Sequence, residues 1–400
     1  MDFTLPDGAE VYRARVADFV AEHVLPLEDE PSSFSDHGNI PPDRLAPVRD
    51  RARAAGLWLP QLAEAEGGLG LPFVALAAAY EEMNRSVFGP VCFNAAAPED
   101  GNMRLLAQVG TIEQKAWWLA PVAEGRVRSA FAMTEPHPGA GSDPSMMRTR
   151  AERTPGGWRI TGRKWFITGA EGAGRFIVMA RTSDDPRKGL TAFLFDADAP
   201  GWRIARRIGI MGPEEHGGHC ELVFDGLEVP DEHVLMAEGD GLKVTQIRLG
   251  PARLTHCMRW LGLARRCMEI ASAYAAEREG FGVRLADRET VQVKLGNLAQ
   301  QIEIGRLLTM KAAWELDQGG RARTAISMAK VQVAETLHRA ADDAIQICGA
   351  RGYSTDTVLE WIYRYARQAR LVDGADEVHK MVLARAYAGA GSGLWRWGAA

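Results

Sequence analysis

Five short segments combine residue types that can do chemistry. The first, Thr134-Glu135-Pro136-His137-Pro138-Gly139-Ala140-Gly141-Ser142-Asp143, is Gly-rich and carries hydroxyls. Such a loop lets backbone N–H groups approach a phosphate or an anionic ring edge, and Ser and Thr add donors. Composition alone narrowly favours a surface loop closed by Pro and Gly. The second, Gly169-Ala170-Glu171-Gly172-Ala173-Gly174, imitates a nucleotide fingerprint. That fingerprint must open a helix, whereas the run that follows, Arg175–Ala180, reads as a strand. These glycines are therefore expected to join two strands. The third, His216-Gly217-Gly218-His219-Cys220, invites a zinc reading. The sequence offers no second ligand cluster and Cys220 opens a strand, so a flexible turn without metal is expected.

The fourth segment is Leu371-Val372-Asp373-Gly374-Ala375-Asp376-Glu377-Val378-His379. A carboxylate between an apolar pair and a Gly could occupy a pocket that raises its basicity. The residues by themselves favour a helix start, with Asp373 as cap, Asp376 and Glu377 complementing the dipole, and His379 on the helix surface. The fifth, Arg278-Glu279-Gly280-Phe281-Gly282, reads equally as a phosphate-gripping Arg or as the end of a helix with a terminal cation and Gly.

The elements that must hold these segments fall into three textures. Residues 1–128 read as an N-terminal α-helical domain, with Val11, Val16, Phe19 and Val20 near helical spacing and Pro/Gly clusters between helices. Residues 129–240 carry β-prone runs at Trp158–Thr161, Trp165–Thr168, Phe176–Met179, Leu190–Phe195 and Glu221–Phe224, each bounded by turn residues. No helical pattern alternates with them, so an antiparallel barrel or sandwich is expected. Residues 241–400 read as a helical bundle, with Leu261, Ala264, Met268 and Ala271 on one stripe and Leu295, Leu298 and Ile302 on another; further helices are expected over Ala325–Ile347 and Glu377–Tyr387.

Composition bounds the rest. Four hundred residues with 46% hydrophobic and 25% charged side chains exclude wholesale disorder and suggest two or three domains. Lys plus Arg number 47 against 52 Asp plus Glu, a net charge of −5, which argues against a nucleic-acid binder. The five cysteines, Cys92, Cys220, Cys257, Cys267 and Cys348, are odd in number and lack CxxC spacing, as expected in a reducing compartment. The early acids and the missing apolar core of a leader predict a cytoplasmic protein. The longest apolar stretch, near Phe73–Tyr80, is far short of a membrane span of ~20 residues.

In this order and spacing, the motifs together resemble the acyl-CoA dehydrogenase family of flavoproteins, over nearly the whole chain. Phe131-Ala132-Met133-Thr134-Glu135-Pro136 with Ala140-Gly141-Ser142-Asp143 is similar to the family's flavin-loop signature. Gly162-Arg163-Lys164-Trp165-Phe166-Ile167-Thr168 resembles its second flavin segment, and Arg278–Phe281, Gln346–Tyr353 and Asp373-Gly374 complete the set. A narrower likeness, carried by Phe93-Asn94, Ala97-Pro98, Gly101-Asn102-Met103, His256-Cys257-Met258-Arg259 and Asp373–His379, is to the branch containing vertebrate family members ten and eleven, which resembles an Asp-base subgroup.

The resemblance implies an α-helical N-terminal domain, a middle β-barrel and a C-terminal four-helix bundle, with FAD between barrel and bundle. It implies FAD contacts from Phe131, Met133, Thr134, Gly141, Ser142, Phe166, Thr168, Ala375 and Glu377. Arg278, Phe281, Gln346, Gly349 and Ala350 would hold the pyrophosphate and adenosine side from a neighbouring subunit of a homodimer or homotetramer. Ser142, Arg253 and Gly374 would meet an acyl-CoA substrate, Asp373 would take its α-proton, and the β-hydride would pass to the flavin. An electron-transfer flavoprotein would collect the electrons. Asp373 stands where most relatives have Glu, shortening its reach by about 1.5 Å. The flavin loop carries two extra residues within His137–Gly139, Phe166 replaces a Trp, and Glu289 replaces a Gln. Two other functions are open: a nitroalkane-oxidase-like flavin oxidase using the same Asp, and a flavin-free binding protein on the same scaffold. Asn94, Glu99, Asp100 and Asn102, polar where relatives often end the acyl cavity, suggest a branched, cyclic or hydroxylated acyl chain.

Overall fold

The computed structural model describes residues 4–6 and 8–388. The chain packs as two units. One comprises residues 31–71 and 90–252; the other comprises residues 1–30, 72–89 and 253–400.

The first unit is built on a sheet of eight strands: β1 Ser129–Ala132, β2 Arg150–Thr154, β3 Gly157–Thr168, β4 Arg175–Arg181, β5 Leu190–Asp196, β6 Trp202–Arg207, β7 His219–Pro230 and β8 Val234–Leu235. The order is β6-β7-β3-β2-β4-β5-β8, with β1 pairing β4 in parallel. Residues 169–174 join β3 to β4, so the glycines there do connect two strands. Strands β4 and β5 are buried on both faces, which is why they read as unbroken apolar runs. Phe176 and Val178 face an aromatic core where Phe176 stacks on Phe195 at 4.7 Å and Phe195 meets Phe224 edge-on at 5.7 Å. Ile177 and Met179 face the opposite layer, with Met103, Leu105 and Leu106 of the helix Glu99–Val109.

The expected β-barrel does not close. Strand β6 pairs only with β7, β8 only with β5 and β1 only with β4 among the described residues, so the sheet is open. The edges at β8 and β6 resist further pairing: β8 is two residues long, and β6 alternates Arg203 with half-buried neighbours and ends on Arg206 and Arg207. The two runs Trp158–Thr161 and Trp165–Thr168 are one bent strand rather than two. Its pairing with β7 shifts register between Ile160 and Thr161 and again between Lys164 and Ile167. At Gly162, φ is +151° and a Cβ would come within 2.6 Å of the Thr149 backbone, so only Gly permits the first bend.

The second unit is helical. Its helices are α1 Ala9–Phe19, α2 Phe73–Met83, the C-terminal part of α3 Gly241–Glu277, α4 Glu289–Asp317, α5 Arg323–Cys348, α6 Leu359–Ala369 and α7 Asp376–Ala388. The central helix α5 packs against α4, α6 and α7. Its buried face carries six Ala (Ala325, Ala329, Ala334, Ala340, Ala341, Ala344), which allow close approach. Gly305 of α4 faces both Leu261 of α3 and Val333 of α5, each 3.1 Å from where its Cβ would stand. The Asp317 carboxylate at the end of α4 accepts from the first amides of α2, Phe73 N at 2.7 Å and Val74 N at 2.9 Å. No helix among the described residues is long and apolar enough to cross a membrane.

Candidate active site

In the sheet unit, the two segments expected to meet a flavin lie side by side. Trp165 N donates to Thr134 O at 2.9 Å, and Lys164 Nζ donates to Met133 O at 2.9 Å. The pair is locked from beneath by Glu135, which is buried. Its Oε1 accepts from Lys164 Nζ at 2.9 Å and Thr149 N at 2.8 Å, and its Oε2 from Arg148 N at 2.7 Å and Ala140 N at 3.2 Å. Burial works against this carboxylate, but the Lys164 charge and these bonds outweigh it and hold its pKa down at about 2. Glu135 N also donates to Ala140 O at 2.7 Å. The extra residues at 137–139 are therefore pinched off as a turn, which Gly139 N closes onto Pro136 O at 2.8 Å. A Cβ at Gly139 would strike Glu135 Oε2 at 2.3 Å.

Above this lock, Thr134 and Thr168 are half-buried, Gly141 and Ser142 are exposed, and Phe131 and Met133 are largely covered. Phe166 keeps 42% of its surface in the open, on a backbone with φ +52°. A non-Gly residue in the left-handed region is a costly conformation that often accompanies function. An aromatic ring held outward, two hydroxyls at the same strand end, and open space around Gly141 suit a flat heterocycle with a polar edge.

In the helical unit, Asp373 also has positive φ (+53°), followed by Gly374 at +99°. Two side chains grip its main chain: Arg253 Nε donates to Asp373 O at 2.7 Å, and His379 Nε2 lies 3.3 Å from the same oxygen. His379 is not on the helix surface but buried, with Nδ1 3.1 Å from Ser327 Oγ. Desolvation, then the charges of Arg253 and Lys330, push its pKa down to about 4, so it is neutral near pH 7. The carboxylate of Asp373 faces His256, whose Nε2 is 3.3 Å from Oδ2 and whose ring stacks on Trp260 at 5.1 Å. His256 follows Arg253 by three positions on α3, so one helix face holds both the carbonyl and the carboxylate of residue 373.

Asp376 does more than complement a helix dipole. It is buried, 3.0 Å from Lys330 Nζ and 2.9 Å from Arg370 Nε. That pair anchors the start of α7, and with it Ala375 and Glu377, of which Glu377 is exposed. Asp373 is no cap of this helix; α7 begins three residues later.

Arg278, Phe281, Gln346, Gly349 and Ala350 are not brought to Asp373. Arg278 follows Arg253 by 25 residues, about 37 Å along a helix at ~1.5 Å per residue. All five are exposed, Phe281 completely and with φ +53°. They gather at one end of the bundle, where Arg351 lies 6.0 Å from the Tyr274 ring.

Sequence reasoning passed over Glu135, Lys164, His256, Lys330 and the inward role of His379. The i, i+3 spacing of Arg253 and His256 was the available signal for one of them. The polar group Asn94, Asp100 and Asn102 is buried rather than solvent-facing. Asn94 Nδ2 donates to Val122 O at 2.9 Å and Asn102 Nδ2 to Ser129 Oγ at 2.9 Å, while Arg248 Nε donates to Asn102 Oδ1 at 2.8 Å. These amides are committed to protein partners, which removes the basis for reading a substituted acyl chain from them.

Comparison with known proteins matches the chain to three family models: acyl-CoA dehydrogenase N-terminal domain over residues 6–126, middle domain over 130–227 and C-terminal domain over 239–388. Acyl-CoA dehydrogenase family member 11 of Gallus gallus is 37% identical over 393 residues, covering 94% of this chain and 50% of that protein. The chain thus spans about half the length of that relative. Probable acyl-CoA dehydrogenase FadE2 of Mycobacterium tuberculosis is 37% identical over 400 residues, covering 96% of this chain and 97% of its own. Butyryl-CoA dehydrogenase of Megasphaera elsdenii superposes with a TM-score of 0.85 at 28% identity, covering 96% of this chain and 99% of that one. The chain belongs to the acyl-CoA dehydrogenase family.

Proposed function

We propose that this protein is an FAD-dependent acyl-CoA dehydrogenase that converts an acyl-CoA thioester to the 2-enoyl-CoA, with Asp373 as the α-proton acceptor. The observation that carries the reading is the treatment of residue 373. Its main chain is held in a left-handed conformation by Arg253 and His379, and its carboxylate is turned toward His256. Strain of this kind is retained where a side chain must point one way.

FAD is the cofactor, and when bound it supplies the acceptor for the β-hydride. On the sheet unit, Phe131, Met133, Thr134, Gly141, Ser142, Phe166 and Thr168 are the residues proposed to receive it. Ala375 and Glu377 are proposed as further FAD contacts. An α C–H beside a thioester is a weak acid, removable when donors stabilise the developing enolate oxygen. The Asp373 amide is proposed as one such donor. Ser142, Arg253 and Gly374 are proposed to meet the thioester and its CoA.

Three proposals concern partners. The exposure of Arg278, Phe281, Gln346, Gly349 and Ala350, remote from Asp373 along α3, supports their serving the FAD of a neighbouring subunit. Exposed Val293, Ile304, Leu307 and Trp314 recur on one face of α4 and support a homo-oligomer, dimer or tetramer. An electron-transfer flavoprotein is the proposed acceptor.

The test is anaerobic titration of the yellow protein with an acyl-CoA panel and, separately, with nitroalkanes. Bleaching by an acyl-CoA is expected. Steady peroxide production from nitroalkanes, with no bleaching by any acyl-CoA, would move the assignment to a flavin oxidase. A colourless protein that takes up no FAD would leave a non-catalytic scaffold.

A further inference from the structure

The segment His216-Gly217-Gly218-His219 is a built device at the end of the sheet. Gly217 and Gly218 have φ +80° and +58°. A Cβ at Gly217 would lie 2.5 Å from Glu171 O, and one at Gly218 would lie 2.3 Å from Arg207 Nε, so neither tolerates a side chain. The turn they make returns Glu215 to His219, whose Nε2 lies 2.9 Å from Glu215 Oε2. Gly169 N donates to Gly218 O at 2.7 Å, tying the turn to the end of β3. His219 opens β7 directly opposite Thr168 of β3. It is buried, and its Nδ1 is 3.1 Å from Thr168 Oγ1. Its ring also faces Phe166 at 5.8 Å.

The geometry points to His219 as a positioning residue for the cofactor: with Glu215, it sets whether the Thr168 hydroxyl donates to, or accepts from, a bound isoalloxazine. This rests on the reading that FAD meets Thr168. With Glu215 at Nε2, that nitrogen carries a hydrogen in either charge state. When the imidazole is neutral, Nδ1 accepts the Thr168 hydrogen, and only oxygen lone pairs face outward. When it is charged, Nδ1 donates to Oγ1 and the hydroxyl hydrogen is free to point at the ring. Burial opposes the charged form, but Glu215, then Glu214, outweigh burial and raise His219 above its ordinary value; Arg207 pulls the other way. Arg207 is itself paired with Glu214 and with Glu171, His37 Nδ1 lies 3.7 Å from Glu214 Oε2, and Cys220 follows His219 along β7. A reduced flavin is richer in electrons than an oxidised one, so an outward donor favours reduction.

Spectroelectrochemistry of the holoprotein from about pH 6 to about pH 9 reads this directly, without turnover. The wild type is expected to show an inflection in midpoint potential against pH where His219 loses its proton. His219→Phe should lose the inflection: with no imidazole to capture it, the Thr168 hydroxyl hydrogen can point at the ring at every pH, so the potential should stay near the wild type's acid-end behaviour and lie above the wild type at the alkaline end. Glu215→Gln should move the inflection to lower pH. Thr168→Val should lose it too, and the double variant with His219→Phe should be no worse than either. FAD-loaded His219→Phe with the wild-type curve would overturn the inference. If that variant does not hold FAD, a Glu215→Gln curve superimposed on the wild type overturns it. Unchanged curves in a protein still bleached by acyl-CoA would sink this inference alone. A wild type that binds no FAD would sink the parent reading with it.

Discussion

Replacing Asp373 by Asn separates the proposed base from its scaffold. The two anchors named above grip the main chain of residue 373, Arg253 Nε at 2.7 Å and His379 Nε2 at 3.3 Å, and the substitution leaves both in place. Residue 373 has φ +53°, a region that Asn enters about as readily as Asp. The fold should therefore lose no more than about 1 kcal/mol, and FAD content should be unchanged. What disappears is the carboxylate proposed to take the proton. General-base removal typically costs about 10²- to 10⁴-fold, or roughly 3–5 kcal/mol of barrier at ~1.4 kcal/mol per decade. The assay is anaerobic stopped-flow, following flavin absorbance after mixing with an acyl-CoA that bleaches the wild type. Asp373→Ala serves as the contrast. It loses the same base, and it also pays about 1–2 kcal/mol for Ala at positive φ, visible as a lower Tm. Bleaching of Asp373→Asn within about threefold of the wild-type rate would refute the assignment of the base.

Three further outcomes are expected. Lys330→Met removes one partner of a buried ion pair and leaves Asp376 held only by the half-exposed Arg370; urea unfolding should report a loss of about 3–5 kcal/mol. The Glu135 carboxyl, held at about 2 against an ordinary 4.5, contributes stability that is complete above about pH 4.5 and is lost as pH falls toward 2; this is worth about 3 kcal/mol. Glu135→Gln should be less stable at pH 7 and should lack that part of the acid limb in pH-dependent unfolding. His379 is depressed to about 4 from 6.5, so the unfolded chain takes up its proton first and stability falls between those two values, again by about 3 kcal/mol. His379→Gln should flatten the unfolding free energy over that window.

Much of the fold was legible because it is written locally. Alternation between helical and strand-like patterns marks where the sheet begins and ends, and the strand-like run after Gly174 excludes a nucleotide-binding helix there. The open sheet was not legible. Closure depends on whether β6 and β8 find each other, and no local pattern reports a partner that is absent. The continuity of β3 was also hidden, since Gly162 reads as a turn residue between two runs and is a bend within one strand; the positive φ of Phe166, visible only in the structure, lies within the same strand. In the Asp373 segment, acids at 376 and 377 looked alike. Packing buried the first against Lys330 and left the second exposed.

Family membership was readable in the chain alone, because each of its motifs is short and contiguous and they occur in a fixed order. The sequence also determined the helix–strand–helix order, because hydrophobic periodicity is a property of neighbouring residues. It took the folded chain to bring Arg253, His256 and His379 together on one residue, and to set Glu135 and Lys164 as the lock between two distant segments. The fold also turned the His-Gly-Gly-His segment, expected as a flexible turn, into a fixed contact with Thr168. Each of these is a meeting of side chains from different elements, set by register and burial, and neither quantity is carried by any single stretch of chain.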